Sequence, residues 1–371
     1  MLDSLPVSPS RPDDVRFWVA FRLAEVASTS RFQALLETFG SLEAAWRADS
    51  SQLRRVLGGR ERTLANVIRT RDTLDVDSAM EKLERTGVSV VTVADDGYPR
   101  LLREIAAPPP VLFYKGQMLE TDTHAVAIVG TRRASAYGRD VAIDIAKGLA
   151  QAGVTVVSGL ATGIDGHAHR ATLDAGGRTF AVLGSGIHDI YPREHNGLAK
   201  RVAEQGALLS DNLPDAKPDR WNFPARNRII SGLSLGVVVV EAPEKSGALI
   251  TVDFAADQGR DVFAVPGMAT SSTSAGCNRI LRDGARLVRN ADDVLEDLRL
   301  RTQVGPVEVQ QPLVLDDDER RILNVLTSQP RHIDDVVEAS GMVLPQVSGV
   351  LLTLELQQLV RNVGAQYYVR H

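Results

Sequence analysis

The apolar positions of this chain fall into three zones with different periods. From 13 to 73 they recur every three or four residues: Phe17, Trp18 and Phe21, then Phe32, Leu35, Leu36 and Phe39, then Leu42 and Trp46. That spacing predicts short amphipathic helices, with Gly40 as a helix stop and Ser41 as the next N-cap. Between 87 and 298 short apolar runs take over, with candidate strands at 125–129, 155–158, 179–183, 207–210, 236–240, 261–265 and 285–288. Helical patterns lie between most of them. Continuous apolar runs predict strands buried on both faces, and their alternation with helices predicts a doubly wound parallel sheet with right-handed crossovers. From 316 onward helical periodicity returns, in segments around Ile322, around Val336 and over 344–356, with Gly341 between the last two and a hairpin pattern at 359–369.

These zones predict an α/β protein of several domains. A small helical domain of the SAM or helix-hairpin-helix kind is expected over 1–80, with Gly58-Gly59 its only glycine pair able to grip a phosphate. An extended Rossmann-like domain is expected over 81–302, a linker rich in Pro, Gln and Val over 303–312, and a winged-helix domain over 313–371. Three helices with a glycine turn before the third, then two strands, is the winged helix-turn-helix plan. Its third helix offers Gln346 and Ser348 but no Arg or Lys. A protein contact or a packing role is therefore expected of it, not base reading.

Composition narrows the functions. The 371 residues are 44% hydrophobic, as in a soluble globular chain of two or three domains. A net charge of −5 gives no global attraction to nucleic acid, so binding of that kind needs a local basic patch. The single cysteine, Cys277, excludes a disulfide framework and a cysteine-based zinc site. No apolar run approaches the roughly 18 residues that span a bilayer, and Met1 to Pro6 lacks the character of a secretion signal. A cytoplasmic protein without a membrane partner is expected.

Candidate chemistry sits where the strands end. The turns after them are polar and glycine-rich: Gly130, Gly159, Gly184-Ser-Gly186, Asp211, Glu241 and Pro266-Gly267. In open α/β sheets ligands bind at that edge, where glycines and a helix start suit an anion. Gly130 is followed by Thr131-Arg132-Arg133, and the next glycine is Gly138, so neither the dinucleotide fingerprint nor a Walker loop is present. Guanidinium forks offered from the side suit a polyanionic strand lying across the edge. The alternative is that Arg132 and Arg133 form ion pairs at the start of a helix, although the helix dipole disfavours cations there. The strand-end loops also supply Arg193, Arg226 and Arg228, with Tyr137, Tyr191, Trp221 and Phe223 nearby. Positive loops with aromatic faces are what hold single strands. For Arg226 and Arg228 a buried ion pair holding their helix to the sheet stands as an equal reading. Asp165, His167 and His169 suggest a metal on paper, but side chains two apart on a helix diverge, so capping and satisfied histidines are expected instead. No Gly-x-Ser-x-Gly elbow is present.

The middle zone resembles the DprA (DNA processing protein A, or Smf) family. The matching pieces are 129–132, Ser158-Gly-Leu-Ala-Thr-Gly-Ile-Asp165, Leu183-Gly-Ser-Gly-Ile187, Tyr191-Pro-Arg-Glu-His-Asn196, Phe223-Pro-Ala-Arg-Asn-Arg-Ile-Ile-Ser-Gly232, 246–251, Val265-Pro-Gly267 and Gly276-Cys-Asn-Arg279. The resemblance implies a homodimeric binder of single-stranded DNA that protects incoming strands in natural transformation and loads the recombinase RecA, with no cofactor, metal or known catalysis. It implies a phosphate pocket centred on Arg132, with Arg193, His195 and Asn196 on the neighbouring loop. The candidate binding set is Gly130, Thr131, Arg132, Arg133, Gly184, Gly186, Arg193, His195, Asn196, Arg226 and Arg228. It also implies a dimer or RecA contact around Ile280, Leu281, Leu287 and Val288, for which packing of the last helix and strand is the alternative. A second reading is a nucleotide-processing enzyme similar to Rossmann-like phosphoribohydrolases. Gly247 and Thr251 are similar to that group's turn, and Glu241 and Asp165 are the candidate carboxylates for cleaving a glycosidic bond. An NAD-dependent dehydrogenase comes third.

Overall fold

The computed structural model describes residues 12–57, 61–300, 316–327, 329–356 and 359–370. The candidate Gly58-Gly59 hairpin and the linker at 303–312 lie outside them. The chain divides into two compact units, 1–304 and 305–371.

The first unit opens with six helices: α1 (Pro12–Leu23), α2 (Thr29–Phe39), α3 (Leu42–Arg47), α4 (Ser50–Leu57), α5 (Glu61–Thr73) and α6 (Val76–Arg85). Gly40 ends α2 in the left-handed region, at φ 76°, and the Ser41 hydroxyl accepts from Ala44 N at 3.1 Å to start α3. Trp18 stacks on Phe32 at 4.7 Å, and Phe21 meets Trp46 edge-on at 5.0 Å.

The sheet region follows as β1 (Ser89–Thr92), α7 (Arg100–Arg103), β2 (Val111–Gly116), β3 (Ala125–Val129), α8 (Ala136–Gln151), β4 (Thr155–Ser158), α9 (Ile164–Asp174) and β5 (Thr179–Val182). Then come α10 (Asn196–Gln205), β6 (Ala207–Ser210), α11 (Asn222–Gly232), β7 (Gly236–Val239), α12 (Leu249–Asp257), β8 (Asp261–Ala264), α13 (Ala275–Arg282), β9 (Arg286–Leu287) and α14 (Ala291–Asp297). The strand order is β1-β2-β6-β5-β4-β3-β7-β8-β9. All seven strands expected from the apolar runs form and pair in parallel from β6 to β9. The sheet is extended by β2, antiparallel to β6, and β1, antiparallel to β2. From β3 the chain winds outward through β4, β5 and β6, then returns to lay β7 on the other side of β3. The turns after β3, β4, β5 and β7 are thereby gathered at one edge, beside the topological switch point.

One core runs from the helices into the sheet, joining Phe17, Phe21 and Leu35 to Leu102, Phe113 and Val182. The opposite face is closed by Val126, Ile128, Ile145, Ile164 and Phe263. Two of the four residues expected at a dimer or RecA contact belong to these cores: Ile280 to the first and Val288 to the second. That corrects the expectation for both, because an apolar side chain consumed by packing presents no surface. Leu281 is half-buried, and Leu287 on β9 is exposed.

The second unit holds α15 (Asp317–Val325), β10 (Arg331–His332), α16 (Ile333–Ser340), α17 (Leu344–Leu356), β11 (Val360–Gly364) and β12 (Tyr367–Arg370). Its core is Ile322, Leu323, Val336, Val347, Leu351 and Leu354, and its three strands pair as β10-β12-β11. This is the winged helix expected from the sequence.

Candidate nucleic-acid interface

The turn after β3 is pressed flat between its neighbours. A Cβ on Gly130 would lie 2.6 Å from Ile164 Cγ1 and 2.9 Å from the Glu241 carbonyl oxygen. Thr131 N donates to Glu241 O at 2.7 Å, and Thr131 O accepts from Ile164 N at 3.2 Å. Gly163, at φ 75°, would put a Cβ 2.3 Å from Thr131 O. Only glycine suits that position. With the backbone so fixed, Arg132 and Arg133 project into solvent. Arg132 stands 5.8 Å over the Phe223 ring, and neither arginine has an ion-pair partner among the described residues.

The start of α8 does not serve as the anion site that a glycine turn and helix dipole suggest. Ser135 Oγ accepts from Gly138 N at 3.0 Å. Ser135 N donates to Glu241 Oε2 at 2.8 Å, and a Cβ on Gly138 would fall 2.3 Å from that oxygen. A buried carboxylate from the end of β7 already occupies the positive end of the helix. Anion binding at this edge therefore falls to the arginines.

Behind Arg132 lies a second arginine of opposite character. Arg226 on α11 is buried, and its Nη1 donates to the Val182 carbonyl. It lies so close over Gly159 that a Cβ there would be 2.3 Å from Nη1. Burial lowers its pKa to about 10, and nearby Asp165 opposes the shift. Its Nε has no hydrogen-bond partner among the described residues. Asp165 is buried too, its own pKa raised by burial, and its Oδ2 accepts from Gly159 N at 3.1 Å and Ala161 N at 3.3 Å. Arg226 and Arg132 line one cavity of about 50 Å³ with Gly159, Ala161, Thr162, Tyr191, Pro192 and Phe223.

The loop after β5 closes the other side. Phe223 packs where a Gly184 side chain would be, 2.5 Å from a Cβ there, and Gly186 lies as tightly against Leu213 O and Pro214 O. Tyr191 meets Phe223 at 5.4 Å. Arg193 and Asn196 are exposed beside this loop. His195, expected among the phosphate contacts, is buried. Its Nδ1 donates to Leu160 O at 2.9 Å, so its Nε2 accepts from Arg170 Nη2 at 3.1 Å. It is a neutral tether between two loops and offers no proton to an incoming phosphate.

Arg228 is separated from the cavity. It pairs with Asp211 at 2.5 Å and donates to Ala107 O at 2.7 Å, so of the two readings for this residue the ion pair describes its place. Asp165, His167 and His169 do not converge. Asp165 turns to the Gly159 backbone, whereas His169 is buried with Nδ1 donating to Thr179 Oγ1 at 2.7 Å and its pKa driven down to about 3 by burial. The carboxylates considered for glycosidic cleavage, Glu241 and Asp165, are both spent on backbone N–H groups. Reasoning from sequence missed Thr162 and Pro192 in the lining. It also missed Arg220, whose guanidinium lies 4.8 Å over the exposed ring of Trp221; the adjacent Arg-Trp pair in a polar loop was the available signal.

The profile of the DNA recombination-mediator protein A family matches residues 89–299, and that of the DprA winged helix domain matches 306–366. The Smf protein of Synechocystis is 33% identical over 95% of this chain and 98% of its own length. The crystal structure of DNA processing protein A from Streptococcus pneumoniae covers 76% of this chain and 97% of its own, at 34% identity and a TM-score of 0.67. DNA processing protein A from Helicobacter pylori, whose structure concerns a unique single-stranded DNA binding mode, covers 57% of this chain and 95% of its own, at 29% identity and a TM-score of 0.52.

Proposed function

We propose that this chain, which belongs to the DprA/Smf family of DNA recombination-mediator proteins, binds single-stranded DNA without regard to sequence at the strand-end edge described above. The observation that carries this is Arg132: exposed, held over Phe223 by a rigid turn, and facing the same cavity as the buried Arg226. A guanidinium with no counter-charge within the fold is available to a phosphate, and backbone contacts of that kind carry no sequence information. Exposed Arg133 and Arg193 extend the positive edge. The H. pylori relative supports the same ligand class.

By family likeness, the strand is one taken up in natural transformation and the protein hands it to RecA. In the same reading the chain acts as a homodimer, through the surface that carries Leu281 and Leu287. The proposed activity is binding and delivery, with no turnover. Fluorescence anisotropy with a labelled single strand tests the binding: Arg132→Ala should weaken it with no change in the thermal transition, and equal affinity of both proteins would reject the site. Light scattering of Leu281→Arg/Leu287→Arg tests the dimer contact, which is lost if the variant stays as associated as the parent.

A further inference from the structure

We propose that Trp221 is the residue by which this protein distinguishes an unpaired strand from a duplex, its indole serving as an open platform for one unpaired base. This rests on the reading that single-stranded DNA is the ligand.

The cavity between Arg132 and Arg226 has about 50 Å³, space for a few water-sized groups. That accommodates the oxygens of a phosphate and excludes a nucleobase. Phosphates are present on both strands of a duplex, so contacts there position a nucleic acid without telling single from double. Phe223 lends little to the choice: it is half-buried, with Arg132 over it, Tyr191 against it and Gly184 beneath. Trp221 is placed differently. It is 71% exposed and stands two residues before Phe223 at the start of α11.

A lone exposed aromatic needs no explanation, but this one is also held. Asp219 Oδ1 accepts from Trp221 N at 2.9 Å, and Asp219 O accepts from Asn222 N at 3.0 Å, which fixes the turn. The Arg220 guanidinium covers one side of the ring at 4.8 Å from its centroid. The remaining face is open, backed by a cation, and continuous with the phosphate-sized cavity. An unpaired base has a free π-face to lay on it; a base inside a duplex is already stacked on both sides.

The molecule carries its own reporter. The other two tryptophans, Trp18 and Trp46, are 4% and 6% exposed within the helical core, so a change in tryptophan emission on adding DNA comes from Trp221. The full-length protein is titrated with oligothymidylate, with an abasic strand of the same length and with a duplex, each followed by emission and by anisotropy. Oligothymidylate should quench the emission and the abasic strand should not. Trp221→Ala should bind oligothymidylate about 5-fold or more weakly, the loss expected from one stacked base. Its affinity for the abasic strand and the duplex, and the salt slope, should be unchanged. Trp221→Phe should recover most of the loss. Binding of oligothymidylate by anisotropy with no change in emission would overturn the proposal and leave the single-strand reading standing, as would equal weakening of all three ligands by Trp221→Ala. Absence of binding to oligothymidylate altogether would instead remove the reading beneath it.

Discussion

Arg132 and Arg226 face one cavity and obey different electrostatics. Arg132 is exposed and its charge is solvated, so removing it costs the fold little and the ligand much. Arg132→Ala should lower the slope of log affinity against log salt by about 0.7, the value for one phosphate contact on a single strand. An unchanged slope would mean that Arg132 touches no phosphate. Arg226 is buried beside the buried Asp165, and truncating it leaves that carboxyl without its neighbouring cation. Arg226→Ala should destabilise the fold by about 3–5 kcal/mol, seen as a lower Tm; a Tm equal to the parent's would contradict the account of that pair. The sequence made legible that residues two apart on a helix part company. It could not reveal which arginine meets the cavity, because Asp211, the partner that takes Arg228, stands at the end of another strand.

At the scale of elements, the apolar runs announced the parallel strands because each is buried on both faces. Strand β2 escaped notice behind Pro108-Pro109-Pro110, where the pattern looked like a stiff lead-in. The occupant of the α8 start was equally hidden, since Glu241 lies 106 residues from Ser135 in the chain. Its carboxylate, buried against a helix start, should contribute up to about 2 kcal/mol. Glu241→Gln keeps the shape and removes the charge, so it should lower the Tm; an unaltered Tm would show that the charge is idle there. His169 makes stability depend on pH. Its folded pKa of about 3 lies below the ordinary 6.5, so only the unfolded chain takes up that proton between these values. The contribution is complete above about 6.5 and declines as pH falls towards 3, by at most about 1.4 kcal/mol per pH unit. His169→Asn retains a donor for Thr179 Oγ1 and cannot be protonated, so it should flatten the acid limb of a denaturant-midpoint profile. Parallel profiles would refute this.

For the whole molecule, periodicity separates a helical zone from a sheet zone, but it says nothing of docking. The two share one core. Arg22 Nη2 donates to Asp211 O at 2.5 Å, and Lys82 pairs with Asp215 at 2.7 Å. The winged unit has a core of its own, acids at the start of α15 and no basic side chain on α17. Truncation after Val304 should therefore leave single-strand affinity within a few-fold of the full chain, by anisotropy. Loss of binding with the remainder still folded would make the wing a DNA reader, perforce through Arg361 or Arg370. The central claim is that the strand-end edge holds an unpaired strand through its phosphates. The most direct test is anisotropy of single strands of different sequence and of a duplex of equal length, across a salt series, for the parent and Arg132→Ala. The account predicts tight, salt-sensitive binding of every single strand, weaker duplex binding and a reduced salt slope in the variant. Preference for the duplex, or binding indifferent to salt and to Arg132, would contradict it.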